Sequence, residues 1–401
     1  MPHRVETFDK IGVSFVIGRR EGYRLWDVDG RELLDLHLNG GTYNLGHRNP
    51  ELVTTLVEGV GRYDIGNHHF PSEPRSRLAE ELVERSPGRA LSKVVLTPSG
   101  SEAIDVAIRS ARHATGRRAV IAYDVAFHGR SGLPAAAGDD SVARMFHSDS
   151  ADFRTVPFDD LDAVAEALAD DDVAAVLCEV IPATAGFPMP SEGYHVALAE
   201  LCARHGAMLI ADEVQTGLGR TGSLWAIDGF GAVPDILVTG KGLSGGLYPC
   251  SAVLAGDQAA GWMTQDGWGY VSTFGGSELG SLVARRALEM SSDPATLDNV
   301  ARQGLAYQAA FEQIRGRYPH LVDIRRRGLV MALRFDDPMG GVTMARHLFE
   351  HGVWAMFCGF DLSAIQWKPG LLVDDDFVEE SLSRFEAALA AASAEHERSA
   401  R

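Results

Sequence analysis

Short apolar runs without polar alternation recur through the middle of this chain, and longer amphipathic stretches separate them. A strand that is apolar on both faces must be covered on both, which calls for helices on either side of a largely parallel sheet. The runs fall at residues 94–96, 119–122, 173–178, 208–211, 236–239 and 251–254. Helices are expected at 102–113, 161–169 and 194–205, the last reading YHVALAELCARH with apolar residues at helical spacing. Beyond residue 280 the pattern changes. One long helix is expected from 279 through 311, then a strand in RRRGLVMALRF, a helix near 343–350 and a final helix over 377–392. The reading is an α/β fold: a large domain over 46–299 with a mostly parallel sheet covered by helices, and a smaller α+β domain built from both termini, 1–45 with 300–401.

In an open α/β sheet, ligands bind outside the carboxyl ends of the strands. Three of the expected strands end on a chemically loaded residue: VAAVLCE on Glu179, MLIAD on Asp212, and DILVTGK on Lys241. A fourth, KVVLTPSGSEA, ends in a turn of small residues that opens onto a helix. The four ends are therefore expected on one rim. Ser99, Gly100 and Ser101 stand where that helix begins, and free backbone N–H groups at the positive end of a helix dipole suit a phosphate. The plainer alternative is a serine N-cap with Glu102 in the first turn.

Lysine occurs only at positions 10, 93, 241 and 368, although Lys and Arg together number 37. Guanidinium does not deprotonate, so a lysine kept at a strand end among glycines points to use of its amine as a nucleophile. The alternative is an exposed strand-end cation. Lys10 is N-terminal, Lys93 precedes its strand, and Lys368 is read as part of a Trp-Lys-Pro turn. Asp212, at the end of a buried strand, needs a cationic or donor partner. A protonated ring nitrogen of a cofactor would serve, with the Gln215 amide reaching a ring oxygen; an arginine pairing with a capping role is the alternative.

The net charge of -18 (37 basic against 55 acidic residues) opposes binding to nucleic acid or an anionic membrane. Neither end offers a basic DNA-binding module, which argues against a regulator. The four cysteines are far apart without a C-x-x-C pair, so no zinc site or disulfide framework is expected. MPHRVETFDK has no apolar signal core and no run reaches membrane-span length, so a cytoplasmic location is expected, with no metal.

With these residues assembled, the sequence resembles the class III (ω-)aminotransferases of pyridoxal-phosphate (PLP) fold type I, from about Asp27 to Val373. The densest part is ADEVQTGLGRTG and PDILVTGKGLSGGLYP, in 211–249. The resemblance implies that Lys241 carries PLP as a Schiff base, that Asp212 pairs with the pyridine nitrogen, and that Gln215 contacts the ring oxygen. It implies a phosphate cup at Gly100 and Ser101, an aromatic stacked on the ring at Phe127, and Val214 on the opposite face. Thr273, in STFGGS, is implied to reach the phosphate across the interface of a homodimer with shared active sites. The substrates implied are a small amine or amino-acid donor and a carbonyl acceptor.

The sequence departs from the family in two segments. Many members hold a substrate carboxylate with an arginine paired to a glutamate. IQWKPGLLV places Gln366 at the arginine position, and EVIPATAGFPMP places Thr184 at the glutamate position. Either charge left alone and buried would be costly, so their joint absence is consistent. A carboxylate is then expected at Arg130 or residues 325–327, or the substrate lacks one. A PLP-dependent aminomutase, epimerase or phospho-lyase is the alternative to transamination. His68 and His69 fall near the family's substrate-entry loop, where a solvated loop or dimer contact is the simpler reading.

Overall fold

A computed structural model describes residues 2–66 and 69–399; His68 lies outside the described residues. The six apolar runs, with an edge strand at Phe153–Val156 that the sequence reading did not place, assemble into one seven-stranded sheet. Its order is Lys93–Thr97, Ser251–Ala255, Ile236–Thr239, Met208–Asp212, Val173–Glu179, Ala119–Tyr123 and Phe153–Val156. Every strand is parallel except Ser251–Ala255, which runs antiparallel to both neighbours. The Val173–Glu179 and Met208–Asp212 strands are buried along their whole length, as expected for strands covered on both faces. Helices Gly100–Thr115, Leu161–Leu168 and Tyr194–His205 supply the cover. The α/β expectation is met.

Register then sets the rim. Glu179 pairs with Asp212, Asp212 with Val238, and Ser251 with Thr97, so the carboxyl ends of four parallel strands finish at one level.

Two smaller sheets flank this one. Ile17–Glu21, Arg24–Asp27, Glu32–Asp35 and Val353–Trp354 form the first, and the last two strands pair in parallel although they are over three hundred residues apart in sequence. Leu321–Arg327, Val330–Phe335, Ala364–Trp367 and Met356–Phe357 form the second. The chain's late segment also reaches back to its beginning through Lys368 N to Leu36 O (2.9 Å) and Leu371 N to Asn44 O (2.8 Å).

Two expectations need correction. The single helix expected from 279 to 311 is two, Glu278–Ser292 and Pro294–Arg317. Pro294 has no N–H to continue the first helix and disfavours helical geometry at Asp293, whose carboxylate instead caps the second helix at Ala295 N. The strand expected in RRRGLVMALRF is a hairpin, turned at Gly328, whose φ of 57° suits glycine. Acidic residues 374–376 do open the final helix, Asp375–Ser399, where Asp374 accepts from Phe377 N. Among the described residues, no helix is long and apolar enough to cross a membrane.

Candidate active site

Lys241 follows directly on the Ile236–Thr239 strand and Gly240, in a left-handed conformation (φ 42°) that is strained for a side-chain-bearing residue. It is partly buried. Burial pushes its amine below the ordinary lysine value, and the carboxylates of Asp212 and Glu179 oppose that shift. Lys241 and Asp212 thus lie in each other's field on one rim, as the strand ends predict.

Asp212 is buried, and its partner is not the arginine of the alternative reading. His128 Nδ1 lies 2.7 Å from its Oδ2, and Val214 N donates to Oδ1 at 3.0 Å. His128 Nε2 is itself buried without a partner. Glu179 accepts from Phe127 N (3.0 Å) and Ala183 N (2.8 Å), anchoring the loop that carries Phe127 and His128. Burial, reinforced by the neighbouring Asp212, raises the Glu179 carboxyl above its ordinary value. The rim therefore holds two buried acids, each fastened by backbone N–H groups.

At the helix start, Ser99 is an N-cap whose Oγ accepts from Glu102 N (3.2 Å). The simple capping role is present, and it leaves the N–H groups of Gly100 and Ser101 facing outward from the first turn. A Cβ on Gly100 would stand 3.1 Å from Val214 Cγ1, so that glycine and Val214 are in contact. Ser101 Oγ receives Ser131 N (3.2 Å) and pairs with Ser131 Oγ (2.7 Å), which ties the 127–132 loop to the helix start. Phe127 stays 39% exposed, a flat apolar face open beside two buried acids.

The fourth wall comes from the N-terminal segment, which sequence reasoning did not place here. Leu38, Asn39, Gly40 and Gly41 are successively left-handed, with φ of 50°, 48°, 71° and 94°. A Cβ on Gly40 would stand 3.0 Å from Lys241 Cε and 3.1 Å from Gln215 Oε1. The turn therefore lies directly against both side chains, and only the missing Cβ allows it.

Lys368 needs the largest correction. Read as part of an ordinary turn, it is wholly buried, with Nζ 2.5 Å from Gln366 Oε1 and 3.5 Å from Gln215 Oε1. Its spacing from Gln366 was the available signal: residues two apart on an extended segment face the same side. Thr184 is partly buried, its carbonyl accepting from Phe360 N (3.0 Å).

The structure does not bring every expected residue to Lys241. Arg130 is bonded to Asp139 through both terminal nitrogens (2.9 Å each) and lies over the Phe127 ring. Arg325 binds Asp323 and Gly186 O, Arg326 binds Gln308, and Arg327 binds Gly229 O. Thr273 lies exposed in a separate cavity of about 1010 Å³ shared with His69, Trp262, Trp268 and Tyr270. That cavity is large and open, but among the described residues no lysine or acid lines it, whereas Lys241, Asp212 and Glu179 meet at the strand ends.

Comparison with known proteins adds independent findings. The family model for aminotransferase class-III matches residues 8–389. An uncharacterized aminotransferase of Archaeoglobus fulgidus is 43% identical over 385 residues, covering 95% of this chain and 90% of that protein. Acetylornithine aminotransferase of Xylella fastidiosa is 36% identical, covering 93% and 92%. Among solved structures, ornithine aminotransferase of Toxoplasma gondii superposes with a TM-score of 0.88 at 28% identity, covering 96% of this chain and 91% of that one. N-acetylornithine aminotransferase of Stenotrophomonas maltophilia gives 0.82 at 31% identity, covering 97% and 99%.

Proposed function

The chain belongs to the class III aminotransferases, and from that membership we propose that it transfers an amino group between an amine or amino-acid donor and a carbonyl acceptor, using PLP and no arginine–glutamate carboxylate pair. The observation that carries this reading is the placement of Lys241 and Asp212 on neighbouring strand ends, beside the open helix start at Gly100.

The residues fit the cofactor. Lys241 would hold it covalently, and Asp212, oriented by His128, would face a protonated ring nitrogen. Gln215 would donate to the ring oxygen, with Val214 and Phe127 on opposite ring faces. Ser99, Gly100 and Ser101 would receive the phosphate on helix N–H groups and hydroxyls. Gly40 and Gly100 keep open the spaces that a Cβ would fill beside Lys241 and Val214. When bound, PLP supplies an imine-forming aldehyde and an electron-accepting ring.

This chain's own part is acid–base chemistry and positioning. Once the substrate's amine has displaced it from the cofactor, the freed Lys241 Nζ, with its proton affinity lowered by burial, would take the proton from the substrate Cα and return it at a neighbouring atom. Asp212 would stabilise positive charge at the ring nitrogen of the bound cofactor, and His128 with Val214 N holds its carboxylate in place. Gln366 and Thr184 stand where a carboxylate-binding charge pair would be, and neither carries a charge.

Thr273 and its surroundings support a homodimer with shared sites. Trp268 and Val271 line that cavity and are more than half exposed, as are Phe70 and Phe274 next to its lining residues His69 and Thr273, which is costly for a lone chain. A partner covering this face would bring its own Thr273 toward the Gly100 helix start.

The test is reconstitution with PLP and incubation with single amine donors. Transamination converts the cofactor stoichiometrically to its amino form and releases one carbonyl product per site. An epimerase or lyase returns the original absorption band, which would overturn the reading. Lys241→Ala is expected to abolish the covalent band.

A further inference from the structure

Two cations are buried next to this site without an acid to neutralise them. Lys368 and Arg220 are both 0% exposed. Among the described residues, no carboxylate lies within ion-pair distance of either. Arg220 donates only to neutral oxygens, those of Asn44, Pro369 and Leu329, and its Nε has no partner. Lys368 donates to two amide oxygens. His37 Nδ1, in the same positive field, is also buried without a partner. Asp35, an acid whose charge reaches Lys368, is already engaged by His47 Nε2 (2.8 Å), Leu38 N and His37 N. Burying positive charge without an anion is expensive, and the cost is relieved when a ligand brings one.

The geometry shows which cation a ligand meets. Gln366 and Lys368 share one side of an extended segment, while Trp367 between them packs into the core against Tyr307, Phe311 and Phe385. Gln215, the other amide on Lys368 Nζ, stands beside Lys241 across Gly40. Gln215 therefore links Lys368 to the turn that lies against Lys241.

We propose that Lys368, screened by Gln366 and Gln215, is the specificity-determining cation of this pocket and receives a carboxylate carried by the substrate. A carboxylate replaces the amide oxygens at Nζ, and the Gln366 amide turns so that its N–H₂ group donates to the same anion, while Gln215 keeps its N–H₂ group for the ring oxygen. This rests on the reading of Lys241 as the cofactor lysine and deepens it by naming the substrate class: amino acids and oxo acids in preference to uncharged amines. Burial, with the positive charges of Arg220 and Lys241, pushes the Lys368 ammonium well below its ordinary value, while Cys358 and Asp35 oppose the shift. An arriving anion opposes that field.

The test uses PLP-reconstituted protein titrated with glutarate and with its neutral diamide, glutaramide, followed by calorimetry and by the cofactor absorption band. Glutarate is expected to bind the wild type and to bind Lys368→Met at least about tenfold more weakly, the scale of one charge-assisted hydrogen bond. Lys368→Arg should retain most of the affinity. Gln366→Glu, which supplies an internal anion and leaves Lys368 in place, should weaken glutarate similarly even if Lys368→Met folds poorly. Glutaramide should be insensitive to all three. A coloured wild type that ignores glutarate, or equal glutarate affinity in the wild type and Gln366→Glu, refutes the Lys368 assignment alone. A wild type that takes up no PLP refutes the cofactor reading, and this assignment with it.

Discussion

Gly40→Ala separates the cost of backbone strain from the cost of invading the site. Gly40 (φ 71°) and Gly116 (φ 68°) have nearly the same left-handed backbone. An alanine at either should lose about 1 kcal/mol, the penalty for placing a Cβ in that region. Nothing lies within 4 Å of the Cβ built on Gly116, which closes the Gly100–Thr115 helix far from the rim. The Cβ built on Gly40 stands 3.0 Å from Lys241 Cε and 3.1 Å from Gln215 Oε1. Gly40→Ala should therefore add an overpacking cost of roughly 1–3 kcal/mol and displace Lys241. The assay is paired: thermal midpoints of both variants, and the rate and extent of PLP capture followed by absorbance. Gly116→Ala should lose some stability and capture PLP like the wild type. Gly40→Ala should lose more stability and capture PLP markedly more slowly. If the two variants matched in both measurements, the N-terminal turn would not be a wall of the Lys241 pocket.

Further outcomes follow from other contacts. Asp212→Asn should leave the fold intact, since the amide can still accept from Val214 N, yet lower kcat by ~10²-fold or more, the scale of losing one charge partner at a reacting centre; steady-state rates beside circular dichroism check this. Burial raises the Glu213 carboxyl to about 8, so it holds a proton in the folded chain that it releases when unfolded near neutrality. Its contribution to stability is full below the unfolded carboxyl value and falls as pH rises through about 8. The wild type should thus lose stability relative to Glu213→Gln over that interval, measured as the difference in thermal midpoint. Thr273→Ala should weaken PLP retention without changing the contacts around Lys241 within one chain, measured by equilibrium dialysis. Trp268→Asp, on the same exposed face, should lower the sedimentation coefficient by disrupting the dimer.

Six of the seven central strands were readable because they carry their own signal, while the partly exposed edge strand Phe153–Val156 was not. Runs such as VAAVLCE have no polar alternation, and a buried parallel strand is the structure that tolerates this. The loaded strand ends were readable for the same reason, since Glu179, Asp212 and Lys241 each interrupt an apolar run at its carboxyl end. The short strands at both ends of the chain were not. Ile17–Glu21 is mostly exposed and Val353–Trp354 has only two residues, so neither leaves a periodicity to detect. Their pairing depends on contacts between distant segments. Lys368 was missed because burial of a lysine is invisible locally: Trp-Lys-Pro describes a surface turn equally well. The left-handed turn at Gly40 was missed because LNGG signals a bend but not what it presses against.

The pairing of Glu32–Asp35 with Val353–Trp354, and of Leu36 and Asn44 with Lys368 and Leu371, has a consequence for biosynthesis. On the ribosome, the Ile236–Thr239 strand emerges after one sheet neighbour, Met208–Asp212, and before the other, Ser251–Ala255, and the turn that lies against Lys241 waits longer still, for residues 353–371 to anchor its flanks. Until then Lys241 lacks that wall. Enclosure of Lys241 is thereby coupled to synthesis of residues 353–371, and a chain cut short before Lys368 would have Lys241 but not this anchored wall.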